Sequence, residues 1–321
     1  MFYNYSFEKN YRKRLLKENK KFKEYIIEFE SPFKEYSDKA CGFLFLPHQL
    51  KTKKALIFLH GSGNYHFGFF KNFSLLFSQK GIPTFFMILP FHYLRKKEKN
   101  NFFSDNLFEI FDSFRQAVID VRASLDCLEE EGFLEDFSIL GVSLGGMIAT
   151  IVSAVDERIK KAILINTGGG FVYIIWEGLL PVLRKNYKKT HHLYGCNKEK
   201  CHQIYSFHKE FVEKLKDISL LGKIKPEKEC FLFDPLSFCH LLKEKVEVIL
   251  FFSSFDEIIP KKAQKIFEEA LGYPPKYTLS GDHYLSLILN KKKIIKISSQ
   301  FLLNDNLKNH ISNPKVEVVE K

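Results

Sequence analysis

The chain has 321 residues, 45% of them hydrophobic and 27% charged, a balance that fits a globular protein with a sizeable core and leaves no evident internal repeat. Forty-nine Lys and Arg against 38 Asp and Glu give a formal charge of +11, but no nucleic-acid reading module accompanies the excess, so no nucleic-acid partner is expected. Six cysteines and the lack of an apolar stretch after the basic start fit reduced thiols in the cytoplasm better than a secreted disulfide framework.

Residues 1–30 read as a basic leader. Tyr3, Phe7, Tyr11 and Leu15 recur at four-residue spacing beside Lys9, Arg12, Lys13, Arg14 and Lys17, which predicts an amphipathic basic helix. Such a helix either packs on its own sheet or attaches weakly to an anionic membrane surface. Next, Cys41 to Leu46 reads as a strand closed by Pro47. Further strands near 55–59, 84–89, 137–140, 161–166, 246–252 and 276–279 alternate with helices near 66–79, 106–130, 145–154, 261–271 and 283–303. Strands separated by helix-length segments predict a mostly parallel α/β sheet of right-handed βαβ units. That core takes in residues 31–166 and 241–303; residues 304–321 form a polar tail. Residues 167–240 are far too long for an ordinary connection and predict a helical cap or lid. The apolar stretch from Phe171 to Val182 is too short to span a bilayer and is broken by Glu177, so it reads as a packed helix or as the lining of an acyl or alcohol pocket. The 34 phenylalanines predict a Phe-rich interior and point to a Phe-lined pocket.

The chemistry concentrates at strand ends. After the run Phe137 to Leu140 comes Gly141-Val142-Ser143-Leu144-Gly145-Gly146, a G-x-S-x-G sequence leading from a strand into a helix. A side chain at Gly141 or Gly145 is expected to collide with the neighbouring strand and helix, and the turn is expected to need glycine-like backbone angles. The strand ending at Leu59 opens into His60-Gly61-Ser62-Gly63-Asn64, a loop able to present N–H groups to an anion. Asp256 follows the strand ending near Phe252, at the sheet edge where ligands of open α/β sheets bind. His283 follows the last short strand. Each has a plainer reading: a turn serine, a helix cap, a half-buried histidine. Asp282, next to His283, competes with Asp256 as the acid.

The order Ser143, Asp256, His283 resembles that of the α/β-hydrolase superfamily, over about residues 40–303. The resemblance implies an eight-stranded, mostly parallel sheet with helices on both faces. It also implies Ser143 as nucleophile, His283 as general base and acid, and Asp256 as the group orienting the imidazole. The oxyanion hole would combine the N–H of Leu144 with that of Ser62. His60 would brace its loop, with Gly61, Gly63 and Asn64 lining the substrate site. Pro90-Phe91-His92-Tyr93-Leu94-Arg95 matches a P-x-H-x-x-R segment that some members carry. The implied activity is a carboxylesterase or lipase-like serine hydrolase acting on a small ester, with no metal or other cofactor. Peptidase and thioesterase chemistry use the same groups, and a silent lipid- or membrane-binding protein of this fold is a third reading.

The cap also holds Cys196, Cys201, His202, Cys230, Cys239 and His240, with His191 and His192 just before. Their spacings miss the C-x2-C pairs of common zinc sites, so no metal site is expected.

Overall fold

The computed structural model describes residues 2–35, 39–63, 66–96, 102–104, 106–178 and 195–304. Its nine strands are β1 (Tyr11–Glu18), β2 (Phe22–Glu30), β3 (Lys39–Pro47), β4 (Leu56–Leu59), β5 (Thr84–Ile88), β6 (Phe137–Val142), β7 (Ile159–Ile165), β8 (Glu247–Phe255) and β9 (Lys276–Asp282). They form one sheet in the order β1-β2-β3-β5-β4-β6-β7-β8-β9. The pairs β1–β2, β2–β3 and β3–β5 are antiparallel. From β5 across to β9 every pair is parallel.

Alternation along the strands divides the core between the two faces. Ile57 and Leu59 of β4 join the cluster on one face, with Ile139 of β6 and Leu164 of β7. Leu56 and Phe58 join the cluster on the other, with Leu140 and Ile163. The first face is covered by α2 (Leu107–Glu130), α3 (Leu144–Val155) and α8 (Lys261–Ala270); the second by α1 (Phe67–Ser78), α9 (Leu285–Leu289) and α10 (Lys291–Leu303). Phenylalanine fills much of both. The Phe58 ring lies 5.6–6.5 Å from those of Phe70, Phe73, Phe77 and Phe86.

The leader helix is corrected to two strands, so the expected eight-stranded sheet has a ninth strand at its antiparallel edge. The four-residue spacing that suggested a helix runs across two different stretches of chain. Tyr3 is buried against the first-face core, the Phe7 ring packs 5.5 Å from that of Phe29, the Tyr11 hydroxyl donates to Glu131, and Leu15 faces solvent. No single apolar stripe is left to lie on a membrane. β1 is instead a sheet edge studded with Arg12, Lys13, Arg14 and Lys17, charges that discourage edge-to-edge pairing. Among the described residues no helix is long and apolar enough to cross a membrane.

Between β7 and β8 the described chain is helical: α4 (Phe171–Glu177), α5 (Lys198–Tyr205), α6 (His208–Lys214), three 3-10 turns and α7 (Cys239–Leu242). Buried Asp234 ties it together, accepting from the N–H groups of Gly170 and Phe171 at 2.8 Å each and from the Tyr205 hydroxyl at 3.1 Å. The end of the apolar stretch that begins at Phe171, Leu179 to Val182, and His191 and His192 lie outside the described residues, as does the polar tail beyond residue 304.

Candidate active site

β6 is hydrogen-bonded between β4 and β7, and at its end the chain turns straight into α3. Ser143 sits on that turn with φ 53° and ψ −117°, a conformation costly for a residue with a side chain. Neighbouring glycines make it possible by space. A Cβ on Gly141 would lie 2.2 Å from the Gly145 carbonyl oxygen, and one on Gly145 would lie 2.4 Å from that of Leu59. The expected reason is corrected in part: the left-handed angle belongs to Ser143, whereas Gly141 and Gly145 are required for close approach.

β8 ends at Phe255, just before Asp256, and β9 runs out at Asp282, just before His283. Parallel pairing of the two strands brings these ends together. The His283 ring then bridges the site. Its Nδ1 lies 2.9 Å from each Asp256 carboxylate oxygen, and its Nε2 lies 2.9 Å from Ser143 Oγ. All three residues are buried, Ser143 at 9% exposure. The backbone N–H groups of Ile258 and Ile259 donate to Asp256 Oδ1 at 3.0 and 2.8 Å and hold that carboxylate in place. Asp282 does different work: its Oδ1 accepts from the N–H groups of Tyr284 and Leu285 at 2.9 and 2.8 Å. Of the two acids, Asp256 is the one hydrogen-bonded to the His283 ring.

The loop after β4 lies against Ser143. A Cβ on Gly61 would sit 3.5 Å from that of Ser143. Ser62 is half-buried beside it, Gly63 has φ +105°, and Asn64 lies outside the described residues. Leu144 opens α3, where the first N–H groups have no partner within the helix. His60 is fully buried with both ring nitrogens committed: Nδ1 is 2.7 Å from the Gly61 carbonyl and Nε2 accepts from the Leu89 N–H at 3.1 Å. Burial and the nearby His92 hold its pKa well below the ordinary value, so it stays neutral. His60 shapes the loop and does not reach Ser143. His92 is lowered to about 4, chiefly by burial. Arg95, from the same P-x-H-x-x-R segment, pairs with Asp120 at 2.5 Å inside the core.

Two residues missed in the sequence complete the frame. Thr167 Oγ1 donates to the Ser143 carbonyl at 2.9 Å. Asn166, at φ 46°, links β8 to the turn carrying His283. Only the H-bond registry among β7, β8 and β9 reveals either role.

Beside His283, the residues Ile258, Tyr284, Leu285 and Ile288 line a cleft of about 460 Å³ together with His283 itself, Glu257 and Asp282. Tyr284, Leu285 and Ile288 are exposed there, and the Tyr284 ring stands 5.6 Å from that of His66 on the loop side. A separate apolar cavity between α2 and the helical segment after β7 is lined by Leu107, Ile110, Phe171, Ile175, Trp176 and Cys201; none of Ser143, Asp256 and His283 lines it. Burial pushes the Cys201 thiol up to about 11, far from a reactive thiolate. Among the described residues no group of three or more His, Cys, Asp and Glu side chains is arranged to hold a metal ion.

Residues 10–165 match the family model described as alpha/beta hydrolase domain containing 18. No curated protein matches the chain in sequence. Among solved structures, a cold-adapted esterase from an Arctic intertidal metagenomic library superposes with a TM-score of 0.56 at 15% identity, covering 88% of this chain and 96% of its own. The alpha/beta hydrolase GrgF from Penicillium sp. sh18 gives 0.57 at 14% identity over 87% and 97%. An acylaminoacyl peptidase from Pyrococcus horikoshii gives 0.62 at 15% identity over 94% of this chain and 44% of its own. At such identities the likeness is one of fold.

Proposed function

The chain belongs to the α/β-hydrolase superfamily, and from that premise we propose that it is a serine hydrolase that cleaves carboxylic esters through an acyl-enzyme intermediate. The observation that carries the reading is the continuous chain from Ser143 Oγ through the His283 ring to Asp256, with both links at 2.9 Å.

A free serine hydroxyl is a weak nucleophile at neutral pH and needs a base within hydrogen-bond reach. His283 Nε2 takes the Ser143 proton as Oγ attacks the ester carbonyl. Nδ1–H stays donated to Asp256, whose negative charge stabilises the imidazolium. The oxygen that becomes negative is received by the N–H groups of Leu144 and Ser62, each such donor contributing about 2.7–4 kcal/mol to the transition state. His283 then returns its proton to the departing alcohol. Water, deprotonated by the same Nε2, releases the acid and restores Ser143. Gly61 and Gly63 belong in this reading to the wall of the acyl or oxyanion region, with His60 bracing their loop.

The exposed apolar side chains of Tyr284, Leu285 and Ile288 lining the cleft support an ester with a hydrophobic acyl group. The test is hydrolysis of p-nitrophenyl esters of increasing chain length, with matched thioesters and anilides. Esters are expected to turn over, faster with a medium or long acyl chain than with acetate, and Ser143→Ala is expected to lose about 10⁴-fold or more in kcat. Turnover of anilides alone would move the assignment to a peptidase. No turnover by folded protein would favour a lipid-binding role.

A further inference from the structure

Asn166 lies at the end of β7, fully buried and with its backbone in the left-handed region at φ 46°. Asparagine tolerates that conformation better than most residues. Its side chain is spent entirely on neighbours of the candidate active site. Nδ2 donates to the backbone carbonyl of His283 and to Ser286 Oγ, both at 2.8 Å, while Oδ1 accepts from the backbone N–H of Ser253 at 2.9 Å. Its own N–H donates to the Phe251 carbonyl at 2.8 Å. One residue further, Thr167 Oγ1 binds the Ser143 carbonyl, and one residue back, the Ile165 carbonyl accepts from the Ser143 N–H at 2.9 Å. The last residue of β7 and the two that follow it therefore contact the backbone of Ser143, the strand leading to Asp256 and the turn carrying His283.

The His283 turn needs such a hold. It is reached through Gly281, with φ +113°, and no ladder bond of β9 extends past Asp282. Other restraints on the turn include the Asp282 cap, the bond from Ser253 Oγ to the Gly281 carbonyl, and a longer bond, at 3.4 Å, from Ser286 Oγ to the His283 carbonyl. The Asp282 cap and the Ser253 bond do not touch the His283 carbonyl; Asn166 binds it at 2.8 Å and also holds Ser286, its more distant donor.

We infer that Asn166 is a positioning residue: its amide fixes the backbone of His283 relative to β8, so that one imidazole ring meets both Asp256 and Ser143. The inference rests on the serine-hydrolase reading for its kinetic consequence but not for its geometric one. In Asn166→Gly the left-handed backbone stays favourable while the amide is lost; Asn166→Asp keeps the shape and the acceptor but, ionised, cannot donate to the His283 carbonyl. Both full-length variants are compared with wild type by thermal unfolding, by the kcat and KM of ester hydrolysis, and by the low-field proton resonance of His283 Nδ1–H bonded to Asp256. A misplacement of about 1 Å is expected to lower kcat by about 10²-fold with KM within about two-fold, and to shift or abolish the low-field resonance in a variant that remains folded. A folded variant with wild-type kcat and an unchanged resonance would overturn the proposal. Failure of both variants to fold would overturn it too, by assigning Asn166 to the fold alone. If wild type itself does not hydrolyse esters, the functional reading fails separately, and the resonance still decides whether Asn166 positions His283.

Discussion

His60 and His92 carry a cost that depends on pH. Both are buried neutral imidazoles with pKa values pushed down mainly by burial, His92 from 6.5 to about 4. The unfolded chain therefore takes up protons first as pH falls. Stability is intact above about pH 6.5 and declines as pH falls toward 4. At about 1.4 kcal/mol per pKa unit, His92 alone accounts for up to roughly 3 kcal/mol of that loss. Urea unfolding at pH 7.5 and 4.5 checks this: wild type should lose markedly more stability than His92→Phe over the interval, and equal losses would contradict the assignment. The site residues have a narrower demand. Asp256 and His283 meet because two parallel strands end side by side, and Ser143 reaches them because its own backbone is strained.

At the scale of elements, the strand-to-helix turn after β6 is the least forgiving part of the molecule. Gly141→Ala drives a Cβ against backbone at 2.2 Å, which cannot move aside as a side-chain tip can. Overpacking of that kind costs about 1–3 kcal/mol, and the substitution is expected to lower the urea midpoint and abolish activity together. Gly68→Ala, on the exposed face of α1 with no atom within 4 Å of the added carbon, is the control and should stabilise by about 0.5 kcal/mol. Wild-type stability in Gly141→Ala would contradict the packing described. The turn was legible in sequence because its requirement is local: strand, small residue, serine, small residue, helix. Asp256 and His283 were legible for the same reason, each standing just past a run of strand formers. β1 and β2 were not, because the spacing of Tyr3, Phe7, Tyr11 and Leu15 imitates a helical stripe although the four residues make unrelated contacts. Asn166 was invisible because nothing near it in sequence states its purpose; that purpose comes from strand registry and from a turn 117 residues away.

For the whole molecule, the segment before β1 fastens the sheet to the helical segment between β7 and β8. The Phe2 and Tyr3 carbonyls accept from Arg115 and Arg122 of α2 at 2.6 and 2.7 Å. The Tyr3 hydroxyl donates to the Leu232 carbonyl in that helical segment at 3.1 Å, and its ring lies 6.2 Å from that of Phe238. Tyr3→Phe removes one buried hydrogen bond and should cost about 1 kcal/mol, with more if the Leu232 carbonyl is left unsatisfied. Tyr3→Ala also opens a cavity and should cost about 3–5 kcal/mol, a large share of the roughly 5–15 kcal/mol available to a folded protein. Equal unfolding midpoints for the two variants would contradict the clasp. With the frame closed in this way, the sheet carries strand ends from β6, β8 and β9 to one point, and the account depends on the chemistry at that point.

The most direct test is covalent labelling of the purified full-length protein with a fluorophosphonate, read by intact mass and by peptide mapping. An activated serine predicts one adduct per chain, located on Ser143, absent in Ser143→Ala and strongly slowed in His283→Ala. Folded wild-type protein that takes up no label, or takes it up elsewhere, would contradict the assignment of Ser143, His283 and Asp256 as a working triad.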